Sequence, residues 1–360
     1  MPRYLLARLK GQLAFLLSLP SLILTHAASQ HCPLYGGLAV IEGVMMKGRE
    51  HLGLALKGPE EEELVLRRRL GKRFPPWVYR APLLRGIFIL YDMLTHGFWA
   101  INRSAEYYSE AHLGEKLTEA EKKASWVGVV ISLVIFLAVF KVLPSLIAGW
   151  LALLIPALDS LVAKNLVEGA IRLGLFLGYV AFLWRFEEFR RVFQYHGAEH
   201  TVINAFEQEP ERYQEMEVLR RHSRIHPRCG TSFVVYFIVF AILIYTLADY
   251  LLLAPTQAWG LTAAGATWPV WWIRALVRVV GIIPLVMVSY EVIRNIYPLR
   301  RILLLRPLVD FGMLFQYLTT APPREPMLDA GLKALNVVRV VEEKVEPDRL
   351  VLPERVEELA

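Results

Sequence analysis

Four long apolar runs, 126–157, 166–184, 230–253 and roughly 270–293, constrain this chain more than anything else in it. The hydrocarbon core of a bilayer takes about 20 apolar residues of helix, and a helix satisfies its own backbone hydrogen bonds there. Hydrophobic residues make up 55% of the 360, and mean hydropathy is +0.38. A water-soluble chain of this length would ordinarily form two domains with a less apolar average. The runs therefore predict a mainly α integral membrane protein, a helical bundle of about four transmembrane helices.

The first run exceeds what a bilayer needs and carries Lys141 and Pro144 near its middle, so it is expected to span and bend at the proline. Short connections near Asp159 and across 254–268 make two hairpins, 126–186 and 230–293. Arginine and lysine orient them. Residues 185–228 hold eight arginines, 254–268 hold no basic residue, and Arg294, Arg300, Arg301 and Arg306 follow the last run. The segment 187–229 and the tail 294–360 are thus expected on the cytoplasmic side of the cell inner membrane. The same rule absorbs the formal charge of +6, so no nucleic-acid partner is implied.

Cys32 and Cys229 are too few for a disulfide framework and suit a reducing compartment. In the N-terminal extension 1–34, Arg3, Arg8 and Lys10 precede an apolar stretch, which sketches a signal peptide. Pro20 interrupts that stretch, and a surface-lying or spanning helix is the other reading. Residues 35–80 read as a small cytosolic β unit, with short runs at 38–46, 51–57 and 63–69 divided by Lys47-Gly48-Arg49 and Gly58-Pro59. The segment 81–112 carries Arg85, Asp92 and His96 among apolar residues, which favours an interfacial amphipathic helix over a spanning one. In the tail, Leu328, Leu332, Leu335 and Val338 or Val341 recur at helical spacing. They mark a soluble amphipathic helix able to dock on the β unit.

The chemistry-bearing residues lie between the two hairpins. In Tyr195-His196-Gly197-Ala198-Glu199-His200, the histidines stand four apart and share one helix face with Asn204, while Glu199 sits one position round. Apolar spacing at Phe186, Phe189, Val192 and Phe193 predicts that the preceding helix runs on into this stretch. His226-Pro227-Arg228-Cys229 supplies an imidazole and a thiol just before the third run. Two imidazoles and a carboxylate in H-x-x-E-H order can bind zinc and move a proton from water, with His196 and His200 as ligands and Glu199 as base. A thiol at a helix N-terminus favours its thiolate, which suits metal binding. If His196, His200, His226 and Cys229 all bind, the site is closed and structural; if three bind, it is open and can be hydrolytic. His222 is a further candidate amid Arg220, Arg221 and Arg224.

Strand alternation places Glu42, Val44 and Met46 on one face of the β unit, where Glu42 is either a solvent-facing acid or an orienter of the metal ligands. Arg274 and Arg278 lie in or beside the last run, where Asp249 or a lipid phosphate can serve as counter-charge for Arg274, snorkelling to the interface being the other reading. Arg220, Arg221, Arg224 and Arg228 are placed to meet anionic lipid headgroups.

Four stretches in order resemble the YqhQ-like family, bacterial membrane proteins built on a domain of unknown function and described as predicted metal-dependent enzymes. They are 36–48 (Gly36-Gly37-Leu38 through Met45-Met46-Lys47-Gly48), 195–200, 223–232 (Ser223-Arg224-Ile225-His226-Pro227-Arg228-Cys229-Gly230-Thr231-Ser232), and Gln316-Tyr317-Leu318-Thr319-Thr320 with Glu325-Pro326. The resemblance covers roughly 35–341. It implies a membrane location and points to His196, Glu199, His200, His226 and Cys229.

Two functions follow as expectations. One is a metal-dependent hydrolase at the cytosolic membrane face, using Glu199 as base and Arg224 and Arg228 to hold an anionic group. The other is a non-enzymatic scaffold or membrane-protein biogenesis partner clamped by zinc.

Overall fold

The computed structural model describes residues 35–359, apart from 259–275, parts of 115–137 and positions 72, 159, 277, 301 and 304. The signal or helix expected in 1–34, Cys32 and Arg274 lie outside the described residues.

Turn-rich punctuation divides the first described segment into four strands, β1 (Gly36–Val40), β2 (Gly43–Lys47), β3 (His51–Lys57) and β4 (Glu63–Arg69). They form an antiparallel meander, with Val40 opposite Gly43, Val44 opposite Ala55 and Leu54 opposite Leu66. A short β5 (Glu357–Leu359) from the end of the chain joins β4 in parallel, so the sheet order is β1-β2-β3-β4-β5. The run 38–46 is two strands, not one. Ile41 and Glu42 make a turn in which Glu42 takes a φ of 52°. That left-handed conformation strains a residue with a Cβ, and it persists here because the Glu42 carboxylate is held by Arg191 and Tyr195.

The sheet buries both faces. Val44, Met46, Ala55 and Val65 point to one side, where they pack on α4 (Glu187–Gln208) and α11 (Glu325–Glu342). Met45, Leu52, Leu54, Leu56 and Leu66 point to the other and meet Ala100 and Trp99 of α1 (Leu84–Leu113). Each leucine so enclosed contributes about 1.5–3 kcal/mol. Period-two alternation thus gives three layers: helix, sheet, helix pair. Burial on α11 exceeds the expected stripe, reaching Ala330, Ala334, Asn336 and Val337, because α4 and the sheet grip it from two sides.

Among the described residues, three helices are long and apolar enough to cross a membrane: Val134–Leu154, Val162–Leu183 and Gly230–Leu251. They belong to a π-helical turn (Ala138–Val142) with α2 (Leu143–Leu154), to α3 (Leu161–Leu183) and to α6 (Gly230–Ala258). The first is irregular where Pro144 stands. Proline has no N–H to give the Phe140 carbonyl, and the Arg172 Nε supplies one at 2.9 Å. Arg172 also bonds Glu168 at 2.5 Å, and Arg278 bonds Asp249 at 3.1 Å and Asn165 at 3.3 Å. Among the described residues Asp249 thus meets Arg278 and Asn165, while the expected pairing with Arg274 lies outside them. The fourth run is described only in part. There α7 (Ile282–Arg294) has 13 residues and packs on α6 and on α1.

Candidate metal centre

The helix bearing the histidines is a separate element. The structure ends α3 at Leu183 and begins α4 at Glu187, with Phe186 extended between them, against the expectation of one continuous helix. Glu187 and Glu188 in the first turn of α4 favour a helix start there, because acids stabilise the positive end of the helix dipole. Two glycines then let other chain segments approach. A Cβ on Gly197 would come within 2.1 Å of the Ala321 carbonyl, and one on Gly37 within 2.5 Å of the Glu199 side chain. These contacts bring the 319–321 segment and β1 against α4 at the level of the site.

His196, His200 and Cys229 converge there, their ligand atoms all within 4.8 Å of one another. The Cys229 Sγ stands 3.3 Å from the His196 Nε2. Tetrahedral bonds of about 2.1 Å to nitrogen and 2.3 Å to sulfur set neighbouring ligand atoms about 3.4–3.7 Å apart, so this spacing fits one shared ion. Both rings are oriented from behind. The His196 Nδ1 donates to the Thr319 carbonyl at 2.8 Å and the His200 Nδ1 to the Arg224 carbonyl at 2.7 Å. Those bonds place the proton on Nδ1 and leave each Nε2 lone pair facing the thiol, which is how ligand imidazoles are prepared for a metal.

Electrostatics favour the ligating thiolate of Cys229 but a proton on His200, which a binding ion would displace. Burial disfavours a charged Cys229, but His200 and His196 outweigh it and hold the thiol well below its ordinary value. Burial likewise opposes charge on His200, and Cys229 and Glu199 raise it nonetheless. The thiolate also receives the Thr231 N–H at 3.4 Å, at the start of α6. The Glu199 Oε2 lies 3.5 Å from the His200 Nε2 and 4.0 Å from the His196 Nε2, so its carboxylate borders the same space.

The other expected residues are placed differently. His226 is not in the converging group: its Nε2 turns to Glu207 at 3.4 Å, and its ring centroid stands 5.8 Å from that of His200. The acid on α4 wins because Glu207 also pairs with Arg228, which makes a charged partner ready for the imidazole. Arg228 is thereby engaged, rather than presented to an external anion. Arg220 pairs with Glu325 and Arg221 with Glu209. His222 bonds the Val218 carbonyl at 2.8 Å, away from the centre. Arg224 rests over the Tyr317 ring at 5.7 Å. Asn204 does reach the site's frame, donating to the carbonyls of Ser223 at 2.6 Å and Ile225 at 3.1 Å and so fixing the loop whose Arg224 carbonyl orients His200. Glu42 bonds Arg191 at 2.5 Å and Tyr195 at 3.2 Å, and contacts neither ligand histidine.

The residues that sequence reasoning passed over are Gln316, Thr319 and Glu207. Gln316 is fully buried and reads both backbone groups of His226, accepting from its N–H at 2.8 Å and donating to its carbonyl at 2.7 Å. A signal for Glu207 existed, since it continues the stripe of His196, His200 and Asn204 by one further helical step. Gln316 and Thr319 showed only as parts of a matched motif without a role.

The 318 residues aligned to uncharacterized protein YqhQ of Bacillus subtilis (strain 168) are 32% identical and cover 84% of this chain and 92% of that one. No solved structure matches the chain. The family described as protein of unknown function (DUF1385) matches residues 81–341, which include every residue of the converging group, and the chain belongs to it.

Proposed function

We propose that the chain is a multi-pass inner-membrane protein with a zinc site just beneath the cytosolic membrane face, and that the site is hydrolytic. The observation that carries this reading is the trio of His196, His200 and Cys229, with Glu199 beside it and His226 turned away. Three protein ligands leave a position for water or substrate, as in catalytic rather than structural zinc sites. The mixed nitrogen and sulfur donors suit zinc among the common divalent ions. When bound, the ion would supply Lewis-acid polarisation and activate a water nucleophile.

The chain's own residues divide the rest of the work. Glu199 takes a proton from the nucleophile and returns it to the leaving group; its side chain is only 6% exposed and cannot swing far from the histidines. Thr319 and Arg224 hold the imidazoles in one tautomer through their carbonyls. Arg224 is the cation left to meet an anionic group of a lipid-linked or peptide substrate. The eight arginines of 185–228 set the site on the cytosolic side.

A cobalt-substituted protein tests this without a known substrate. A thiolate-to-cobalt band that disappears in Cys229→Ser, and a visible spectrum that changes on adding acetohydroxamate, are expected. A spectrum indifferent to that ligand, with His226→Ala losing as much metal as His196→Ala, would mean four protein ligands and would sink the hydrolytic reading. The second reading would then stand: a zinc clamp in a scaffold or biogenesis partner. It is favoured by one observation, that the trio ties α4 to the turn that starts α6.

A further inference from the structure

α1 has two apolar faces, and among the described residues only one is covered. Arg85, Gly97, Ala100 and Ser104 are buried against α7 and the sheet. On the far side, Leu84, Tyr91, Leu94 and Ile101 are exposed by 41, 46, 65 and 44%. Ile87 falls between them on the same stripe and is partly exposed. A stripe of large apolar groups this long does not sit in water without cause.

Two observations identify what covers it. The first is continuity with the bundle. The Leu83 N–H donates to the Glu291 Oε1 at 2.9 Å and the Arg85 Nε to the same atom at 2.7 Å, which pins the start of α1 to the end of α7, a helix whose opposite end exposes Ile282 and Ile283. The second is charge and aromatic content. Residues 73–103 carry four arginines against one acid, Asp92; Arg85 pairs with Glu291 and Arg103 with Glu106, so the cations beside the stripe are Arg73 and Arg80. Asp92 accepts from the Tyr79 hydroxyl at 2.8 Å, and Arg73 donates to the Tyr91 hydroxyl at 3.0 Å in the middle of the stripe. Trp77, 61% exposed, stands just ahead of it. Apolar groups flanked by arginine and by tryptophan and tyrosine are the composition of a helix lying at a headgroup boundary. A second copy would bring like charges together.

We infer that the outer face of α1, from Leu84 to Ile101 with Trp77 as anchor, docks on the headgroup–acyl boundary of an anionic lipid bilayer. The inference rests on the membrane placement proposed above and is independent of the hydrolytic chemistry.

The test uses full-length protein carrying Cys32→Ser and one added cysteine, labelled with bimane and reconstituted in vesicles with or without phosphatidylglycerol. Unsubstituted Cys32→Ser protein corrects for any labelling of the buried Cys229. Probes at Leu94→Cys and Ile101→Cys should be quenched roughly threefold more by a headgroup-level nitroxide lipid than by aqueous iodide, and more strongly when phosphatidylglycerol is present. Asp348→Cys, in the 3-10 turn at 347–349, is the aqueous reference, and Leu153→Cys, at an 83% exposed position on α2, is the deep one. If Leu153→Cys escapes lipid quenchers, the membrane placement itself fails. If Leu153→Cys is quenched while Leu94→Cys and Ile101→Cys follow Asp348→Cys, this inference alone fails. Probe–probe excimers at Leu94→Cys that rise with protein-to-lipid ratio would assign the face to a second copy, and equal quenching in both vesicle types would remove the anionic requirement.

Discussion

Replacing Gln316 by leucine should loosen the metal centre without touching a ligand. The side chain makes three bonds in a fully buried place: from the His226 N–H at 2.8 Å, to the His226 carbonyl at 2.7 Å, and to the Ser232 hydroxyl at 2.9 Å. Leucine is close in volume, so cavity effects are small. Ser232 keeps its bond to the Gly312 carbonyl, but both backbone groups of His226 lose this partner. At about 1–3 kcal/mol per unsatisfied buried group, a rigid loop would lose roughly 2–6 kcal/mol. The loop can instead move toward water, and then Cys229, three residues on, moves with it. Disturbing the groups that orient ligands typically lowers metal affinity about 10- to 100-fold. Since each tenfold is about 1.4 kcal/mol, the stabilisation gained from saturating zinc should shrink by roughly 1.4–2.8 kcal/mol. Thermal unfolding in detergent with and without zinc, beside a chelator competition titration, reads both effects. Affinity and zinc-dependent stabilisation equal to the parent protein would refute the reasoning. A lower melting point with unchanged affinity would restrict Gln316 to holding α6 against the 316–319 turn.

Other outcomes follow from the same accounting. Glu342 ends α11 by accepting the N–H groups of Arg49, Glu50 and His51 at 2.9, 2.7 and 2.7 Å; Glu342→Ala should cost about 1–3 kcal/mol and speed hydrogen exchange at 49–51, and unchanged exchange there would count against it. Arg172→Met removes the donor to the Phe140 carbonyl and leaves Glu168 with Arg278 at 3.8 Å, so detergent stability should fall by about 1–3 kcal/mol, and adding Glu168→Gln should restore part of it; no recovery in the double variant would show that the pair is not coupled. Lys57 and Lys333 each pair with Glu63 and Asp329. Burial opposes ionisation of the two acids, yet their bonds to the lysines hold both below their ordinary values of 4.5 and 3.8. A depressed carboxylate stabilises the fold above its unfolded value and loses that contribution as pH falls through the native one. Protease resistance of α11 should therefore hold near neutrality and decline below about pH 4, and Glu63→Gln should flatten the decline.

How far the sequence could lead depended on whether a feature was local. Strands β3 and β4 were legible to the residue, because turn chemistry brackets each and alternation runs through both. The split of 38–46 was not, since the turn at Ile41-Glu42 has no asparagine or paired glycine; it is held from outside by Arg191, nearly 150 residues away. The three long apolar helices were legible from composition alone, while the break between α3 and α4 hid behind apolar spacing that crosses it unbroken. The metal centre divides along the same line. His196 and His200 could be paired from their spacing on one helix, and Cys229 from its position before the third run. That His226 lies outside the converging group required Glu207 and Arg228 to be brought to it in three dimensions, and in the proposed reading that competition sets three protein ligands against four. The balance between an open and a closed site thus rests on a salt-bridged carboxylate rather than on the ligands themselves. Glu207→Gln should weaken the hold on His226, because a neutral amide pairs less strongly than a carboxylate with the His226 ring and with Arg228. If the freed imidazole swings inward, cobalt spectra of Glu207→Gln should lose their response to acetohydroxamate while the thiolate band stays. A response unchanged from the parent protein would show that Glu207 is not what keeps the fourth position clear.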